Sequence, residues 1–539
     1  MITGVYELQI DSFSTLKVTA SGSMGKSNQF NSTYSESLSE EGNRVNTSNR
    51  SSSAEGDNSN LTTTALYRKK FRKIGRTVSL NLNQAYQSRT TEGFLLSDNR
   101  YYDPSGILIL QDSVDQQKKN DNHSMTLAGK IAYTEPLSKS AFLELSYSLS
   151  NTTSQNERIT LANVNGKYEN FIDTLSTNYE FNVLTNRGGL SFRLNKKKYN
   201  FSVGSDVSNS DFKQKDLFQD TVLNYSYLNL FPRANFNYII KPQTRVSIRY
   251  NGSTKQPSID QLQPLRDNSD PLNIYRGNPG LKQEFRHSFG LNFNDFKVMN
   301  NRSIWLSANL TTVSNAIGTS EFLDPTLGKR IYQPVNVKGN YNMNTYINYY
   351  FKIKKTDFNI GINLDGSYNV NNGIVNNVLN RNKNSRIGGG LSLNYFKEKK
   401  FRMNMYSSIG RNVSESSIRK ELATKYWSAS FYPNLVLTLP GKIELGTDAS
   451  IDIREKTTLF DQNRNVIKWN ASISKKFFKE ESGVLRFEIK DILDQNIGFN
   501  RNIQGNNITE RTYDTLRRFW ILSFTWNFSK NGKAPTNNF

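Results

Sequence analysis

The chain has no cysteine in 539 residues, which excludes disulfide frameworks and thiolate metal sites. Histidine is nearly absent. His123 and His287 are the only two, no ligand-like spacing surrounds them, and both read as ordinary loop or strand residues. No run of about 18 apolar residues occurs, so no transmembrane helix is available. Phosphate-cradling glycine loops, nucleophile elbows and metalloprotease helices are missing. Gly388-Gly389-Gly390 imitates a cradle in composition only and is expected to open a strand, where glycine relieves crowding. Carboxylates such as Asp365 and Asp448 fall on polar, water-facing positions. No catalytic residue, metal ligand or cofactor is expected, and no enzyme activity. The first residues, Met1-Ile-Thr-Gly-Val-Tyr, show no basic segment followed by an apolar stretch, so no secretory leader is visible. No linker or shift in composition divides the chain into soluble domains of about 100–200 residues.

What remains is one texture from end to end: Asn, Ser and Thr interleaved with Leu, Ile, Tyr and Phe. Tyr (27) and Phe (32) are abundant, as strands and membrane interfaces favour. A mean hydropathy of −0.64 resembles that of a soluble protein. That comparison fails for a barrel, where only alternate residues meet lipid. The net charge of +22 is scattered in small clusters such as Lys69-Lys70, Lys196-Lys197-Lys198 and Lys475-Lys476. It forms no single basic stripe, so no nucleic-acid partner is expected.

Strict alternation marks strands with two unlike faces. Leu143, Leu145, Tyr147 and Leu149 oppose Glu144, Ser146 and Ser148, and Leu306, Ala308 and Leu310 oppose Ser307 and Asn309. A helix cannot hold apolar residues at i, i+2 and i+4 on one face. Short breaks fall near 72–75, 135–139, 195–198, 241–243, 299–301, 354–356, 397–400, 439–442 and 479–483. Each has the length of a tight hairpin turn. Between them lie longer polar segments, among them 40–58, 90–121, 251–284, 311–335 and 494–512. Aromatics flank the short breaks: Phe71, Tyr133, Phe192, Tyr199, Phe201, Tyr238, Phe296, Phe351, Phe396, Phe401, Phe477 and Phe478. Basic clusters occupy the same turns.

Short turns at one end and long loops at the other define the outer-membrane pattern. The expected fold is all-β: a transmembrane antiparallel β-barrel of about 20–22 strands, with short periplasmic turns, long extracellular loops and an aromatic girdle at the periplasmic interface. Residues 13–528 form the barrel, 1–12 a remnant of an early barrel strand, and 529–539 a periplasmic tail. The early strand around Val5–Ile10 makes the count odd, where single-chain bacterial barrels are even. The expectation is that this is the C-terminal part of a longer protein, which would also account for the missing leader.

Three stretches resemble the TonB-dependent receptor barrels of the Bacteroidetes type, in particular their outer-membrane β-barrel family. The first runs from Arg249-Tyr250 through Thr254-Lys255-Gln256-Pro257 to Gly277-Asn278-Pro279-Gly280-Leu281-Lys282-Gln283-Glu284. It resembles the family loop ending Gly-Asn-Pro-x-Leu-Lys-Pro-Glu, with Gln283 in place of the usual Pro. Gly277, Asn278, Pro279, Leu281, Lys282 and Glu284 carry the match. The second, Leu485 to Asn496, is similar to the penultimate-strand segment with its Asp-Leu-Leu-Asn-like turn. The third is the last strand, where Trp520, Leu522, Phe524, Trp526 and Phe528 alternate with polar residues like a barrel-assembly signal, although Ser529–Phe539 follow. The resemblance implies energy-dependent import of a ligand such as an iron chelate, a cobalamin, an oligosaccharide or a peptide, captured by extracellular loops. It implies outer-membrane lipid and the barrel-assembly machinery as partners, and a plug domain and TonB if these are encoded upstream. A barrel working alone, as a porin or a surface-binding protein, is the competing reading.

Overall fold

A sheet whose strands alternate apolar and polar residues is stable between lipid and water, because each face meets its own solvent. The chain adopts this solution almost throughout. The computed structural model describes residues 2–39, 41–262, 266–267, 273–297, 301–323, 329–398, 400–457, 465–478, 481–504 and 507–527.

The wall opens with β1 (Ile2–Gln9), β2 (Ser14–Leu38), β3 (Arg44–Lys70), β4 (Thr77–Tyr102), β5 (Leu108–Pro136) and β6 (Ala141–Val164). After an excursion through β7 (Lys167–Phe171) it continues with β8 (Thr177–Asn195), β9 (Tyr199–Asp216), β10 (Thr221–Lys241) and β11 (Thr244–Lys255). A second excursion holds a helical turn, α1 (Ile259–Leu262), with β12 (Arg266–Asp267) and β13 (Asn273–Arg276). The wall resumes with β14 (Glu284–Lys297) and β15 (Arg302–Ser314), and a third excursion holds β16 (Ala316–Leu323) and β17 (Arg330–Val337). Then come β18 (Asn340–Lys352), β19 (Phe358–Val375), β20 (Val378–Lys397) and β21 (Phe401–Ser416). After these run β22 (Thr424–Leu439), β23 (Ile443–Arg454), β24 (Val466–Phe477) and β25 (Gly483–Lys490). A separate hairpin, β26 (Gly498–Gln504) and β27 (Asn507–Tyr513), precedes the last strand, β28 (Phe519–Trp526).

Every wall strand pairs antiparallel with its successor, from β1–β2 to β25–β28. The main sheet has 26 strands, and setting aside β7, β12, β13, β16 and β17 leaves 21 in the wall. Among the described residues the sheet is not closed, since no pairing joins β28 to β1. Because directions alternate over 21 strands, β1 and β28 run the same way, both toward the short-turn end.

The turn map agrees with the sequence. Consecutive wall strands are separated by only a few residues, at 10–13, 71–76, 137–140, 196–198, 242–243, 298–301, 353–357, 398–400, 440–442 and 478–482, and all but the first of these positions overlap an expected break. The outward set includes Leu145, Leu190 and Val203; the inward set opposite includes Ser146, Gly189 and Gly204.

Three details differ from expectation. Segments 40–58 and 90–121 are strand over most of their length, not loop. β2 to β6 are 25, 27, 26, 29 and 24 residues long, where about 9–11 suffice to cross a bilayer. Their upper parts are polar because water bathes both faces there, and the backbone ladder forms regardless of side-chain polarity. The loop at 103–107 shrinks to a tight turn, and only a few residues separate Leu38 from Arg44, with Gly42 and Gly106 at φ 85°. Second, Gly388-Gly389-Gly390 lies in the middle of β20. Third, Phe296 and Phe396 pair with Ser303 and Arg402 on the inward face, while Tyr133, Phe192, Tyr199, Phe201, Tyr238, Phe351, Phe401 and Phe477 take outward positions.

Candidate functional site

A sheet with an apolar outer face leaves its polar inner face and its long-loop end to meet a solute. The inner face is chemically uneven. Strands β8, β10 and β11 place Arg187, Arg193, Arg233, Arg245 and Arg249 inward. Two of them, Arg187 and Arg233, share Asp206 on β9, 5 % exposed. It accepts from Arg187 Nη2 and Arg233 Nη1, each at 2.7 Å, and Arg187 also lies 4.1 Å over the Phe231 ring. Gly189 makes room for this cluster: a Cβ there would sit 2.4 Å from Asp206 Oδ1. The arc has more guanidinium than carboxylate, so it favours anionic groups.

On β19 to β22 a second arginine is held differently. Arg386 Nε donates to Asp365 at 3.1 Å and its Nη1 to Ser428 at 3.0 Å. The guanidinium lies flat across Gly410, where an added Cβ would come within 2.6 Å of Cζ. Asp448, like Asp365, faces inward, accepting from Asn470 Nδ2 at 2.7 Å. His287 lies on the outer face, in β14, 3.0 Å from the Tyr250 hydroxyl. Among the described residues no group of three or more His, Asp or Glu could hold a metal ion.

Above the inner face the excursions form a canopy. β17 pairs antiparallel with β16 and in parallel with β13, and β16 pairs in parallel with the top of β19. Tyr275 and Tyr332 stack across β13 and β17 at 5.2 Å. Burial pushes the Glu321 carboxyl up from its ordinary range, and Arg330, 3.8 Å away, opposes that shift only in part. The canopy reaches the inner side of the tall hairpins: Lys329 Nζ lies 4.8 Å from the Tyr101 ring. Around that ring, Asn46, Asn99 and Tyr101 are fully buried. Ser48 and Ser97 both donate to Asn99 Oδ1, at 2.7 and 3.0 Å.

The Gly-Asn-Pro loop is the clasp of this canopy. Gly277 O accepts from Gln333 Nε2 at 3.1 Å, and Asn278 Nδ2 donates to Pro334 O at 2.9 Å. Lys282 N donates to Asn336 Oδ1 at 2.7 Å, while Asn336 Nδ2 donates to Lys282 O and Asn315 O at 2.8 and 2.9 Å. Leu281 is buried, Pro279 is exposed, and the buried Glu284 accepts from Ile317 N at 3.3 Å. These residues hold the β16–β17 hairpin in place, and their role here is structural. Their partners Gln333, Asn336 and Asn315 lie about 35–60 residues on and carry no local signal.

The second motif is a turn. Asp491, at φ 51°, accepts from Gln495 N and Asn496 N at 3.1 and 2.8 Å, and Asp494 accepts from Arg518 N at 3.1 Å. The turn thereby ties the end of β25 to the start of β28. Trp520, Leu522, Phe524 and Trp526 face outward from β28 and are 56–77 % exposed at the free margin of the sheet. Phe528 and the tail 529–539 lie outside the described residues. The loop motif and this strand are not brought together.

A lipid-facing wall with short turns at one end and a canopy at the other is the architecture of an outer-membrane β-barrel. The chain belongs to the outer membrane protein beta-barrel family, whose model matches residues 69–383 and 367–526. The protein is accordingly placed in the outer membrane, short turns toward the periplasm and canopy outside. Among solved structures it is similar to the FrpB iron transporter from Neisseria meningitidis, at 10 % identity over 96 % of this chain and 82 % of that one, TM-score 0.38. The Serratia marcescens hemophore receptor HasR, in complex with its hemophore HasA and heme, matches at 10 %, covering 97 % and 78 %, TM-score 0.42. The copper transporter OprC matches at 10 %, covering 95 % and 80 %, TM-score 0.43. No curated protein matches the chain.

Proposed function

We propose that this chain is the wall of a TonB-dependent receptor, which captures a ligand under its canopy and imports it at the expense of energy. The observation that carries this reading is the clasp. The Gly277–Glu284 loop, which resembles the receptor family's loop, is spent on fixing an extracellular hairpin across the mouth. A passive pore gains nothing from obstructing its entrance, whereas a receptor needs a preorganised surface there. The inward arginine arc below would suit a ligand carrying carboxylate, phosphate or other anionic groups. The wide lumen would be filled by a plug domain, in keeping with the size of barrel that carries one.

The test uses cells with and without the gene, offered labelled iron chelates, cobalamin and oligosaccharides. Uptake that needs the gene and collapses with a protonophore supports the receptor. Gene-dependent uptake that continues in de-energised cells, rising linearly with concentration, supports a stand-alone porin.

A further inference from the structure

The outward face of β19 to β23 has a groove that the transport reading does not use. Paired residues across these strands form rows running across the sheet. One row is Leu364, Gly389, Ile409, Ala429 and Ile453; the row above it is Gly366, Ile387, Arg411 and Trp427. The small side chains of Gly389, Ser407 and Ala429 leave an apolar groove of about 440 Å³, flanked by Leu391, Ile409, Phe431 and Ile451.

Cations stand directly above it. Arg411 lies 5.5 Å over the Trp427 ring, and among the described residues it has no ion pair. Lys425, a row higher, pairs with Glu415 at 3.9 Å. Lys383, opposite Glu415, has no ion pair among the described residues. The nearby Glu455 carboxylate accepts the Trp427 backbone N–H at 2.7 Å.

Height identifies the solvent. Arg411 is ten residues up β21 from Phe401, which faces lipid at the periplasmic rim. At about 3.4 Å per residue and a tilt of about 40°, that is roughly 25 Å, the height of the apolar band. The groove therefore lies at the depth of the outer-leaflet acyl chains, Arg411 lies at headgroup level, and Lys383, four residues beyond Arg411's partner Ile387 on β20, stands about 10 Å higher. An outward arginine is tolerated at that level and strongly disfavoured lower down.

We propose that this face binds one phosphate-bearing, multi-acylated glycolipid of the outer leaflet. One acyl chain occupies the groove at Gly389, Ser407 and Ala429, and phosphate is held by Arg411 and Lys383. The outer leaflet supplies this class of lipid at the right height, and the two free cations complement its phosphates. Phospholipids of the opposite leaflet meet only the periplasmic turns.

The experiment uses the full chain purified in detergent and titrated with bisphosphorylated lipid A, read by native mass spectrometry. One lipid is expected per chain. Binding should weaken roughly tenfold in Arg411→Ala/Lys383→Ala, which removes charge-assisted hydrogen bonds. A similar loss is expected in Ala429→Phe, which fills the groove, with Ser407→Phe as the substitute if that variant does not fold. Heat-shifted gel mobility checks folding in each case. Equal binding by wild type and the double variant overturns the proposal, as does equal binding of dephosphorylated lipid A. Dioleoyl phosphatidylglycerol binding as tightly as lipid A overturns the glycolipid assignment.

Discussion

At the residue scale, the inner face depends on a few charged side chains held by several partners each. Asp206 is the clearest case. Replacing it with Ala leaves two arginines without their shared acceptor. Because their side chains are 38 % and 39 % exposed, water screens the loss. The expected destabilisation is about 1–3 kcal/mol rather than that of a sealed ion pair. The urea midpoint of the folded barrel in detergent measures it. A second prediction concerns pH. In the extracellular turn at 103–107, the Asp103 carboxylate accepts from Ser105 Oγ at 2.6 Å and from Ile107 N at 2.9 Å. These bonds, that from Ser105 first, hold its pKa below the ordinary 3.8. A depressed carboxylate stabilises the turn fully above its unfolded pKa, and that support is lost as pH falls through the folded value. Amide exchange at Ser105 and Ile107 should therefore be flat near neutrality and accelerate, beyond its intrinsic pH dependence, only below about pH 4. At this scale little was legible in advance. Inward Arg187 and Arg233 could be placed by strand parity, but nothing in the sequence says that both reach Asp206.

At the scale of elements, turns and alternation were readable because each is local. A period of two needs only a few residues to declare itself, and a basic, aromatic-flanked break marks a hairpin. The polar segments 40–58 and 90–121 misled because polarity reports solvent, not backbone conformation. The excursions were unreadable in detail, since β13–β17 and β16–β19 are parallel pairings between distant segments. Yet the Gly-Asn-Pro motif flagged where their clasp would be. Asn336→Ala removes the acceptor for Lys282 N and the donor to Lys282 O and Asn315 O. The β16–β17 hairpin should loosen by about 1–3 kcal/mol. Faster hydrogen exchange confined to 316–337 and its β13 contacts, with wall strands unchanged, is the expected readout. Uniform exchange throughout the wall would contradict the clasp.

At the scale of the molecule, fold class, strand number and location all followed from repetition. A wall of 21 strands repeats the same signal many times, so errors in single strands average out. Arg386 shows what that repetition hides. Gly410→Val puts a side chain where the guanidinium lies, so Arg386 should release Asp365 while the sheet stays intact. Unchanged heat-shifted mobility, with altered binding or conductance, is the result expected.

The length of β2 to β6 has a last consequence. At about 3.4 Å per residue, strands of 25, 27, 26, 29 and 24 residues stand far taller than the bilayer core. A fence of hydrogen-bonded hairpins, rather than pliant loops, therefore screens one side of the canopy from bulky particles in the medium.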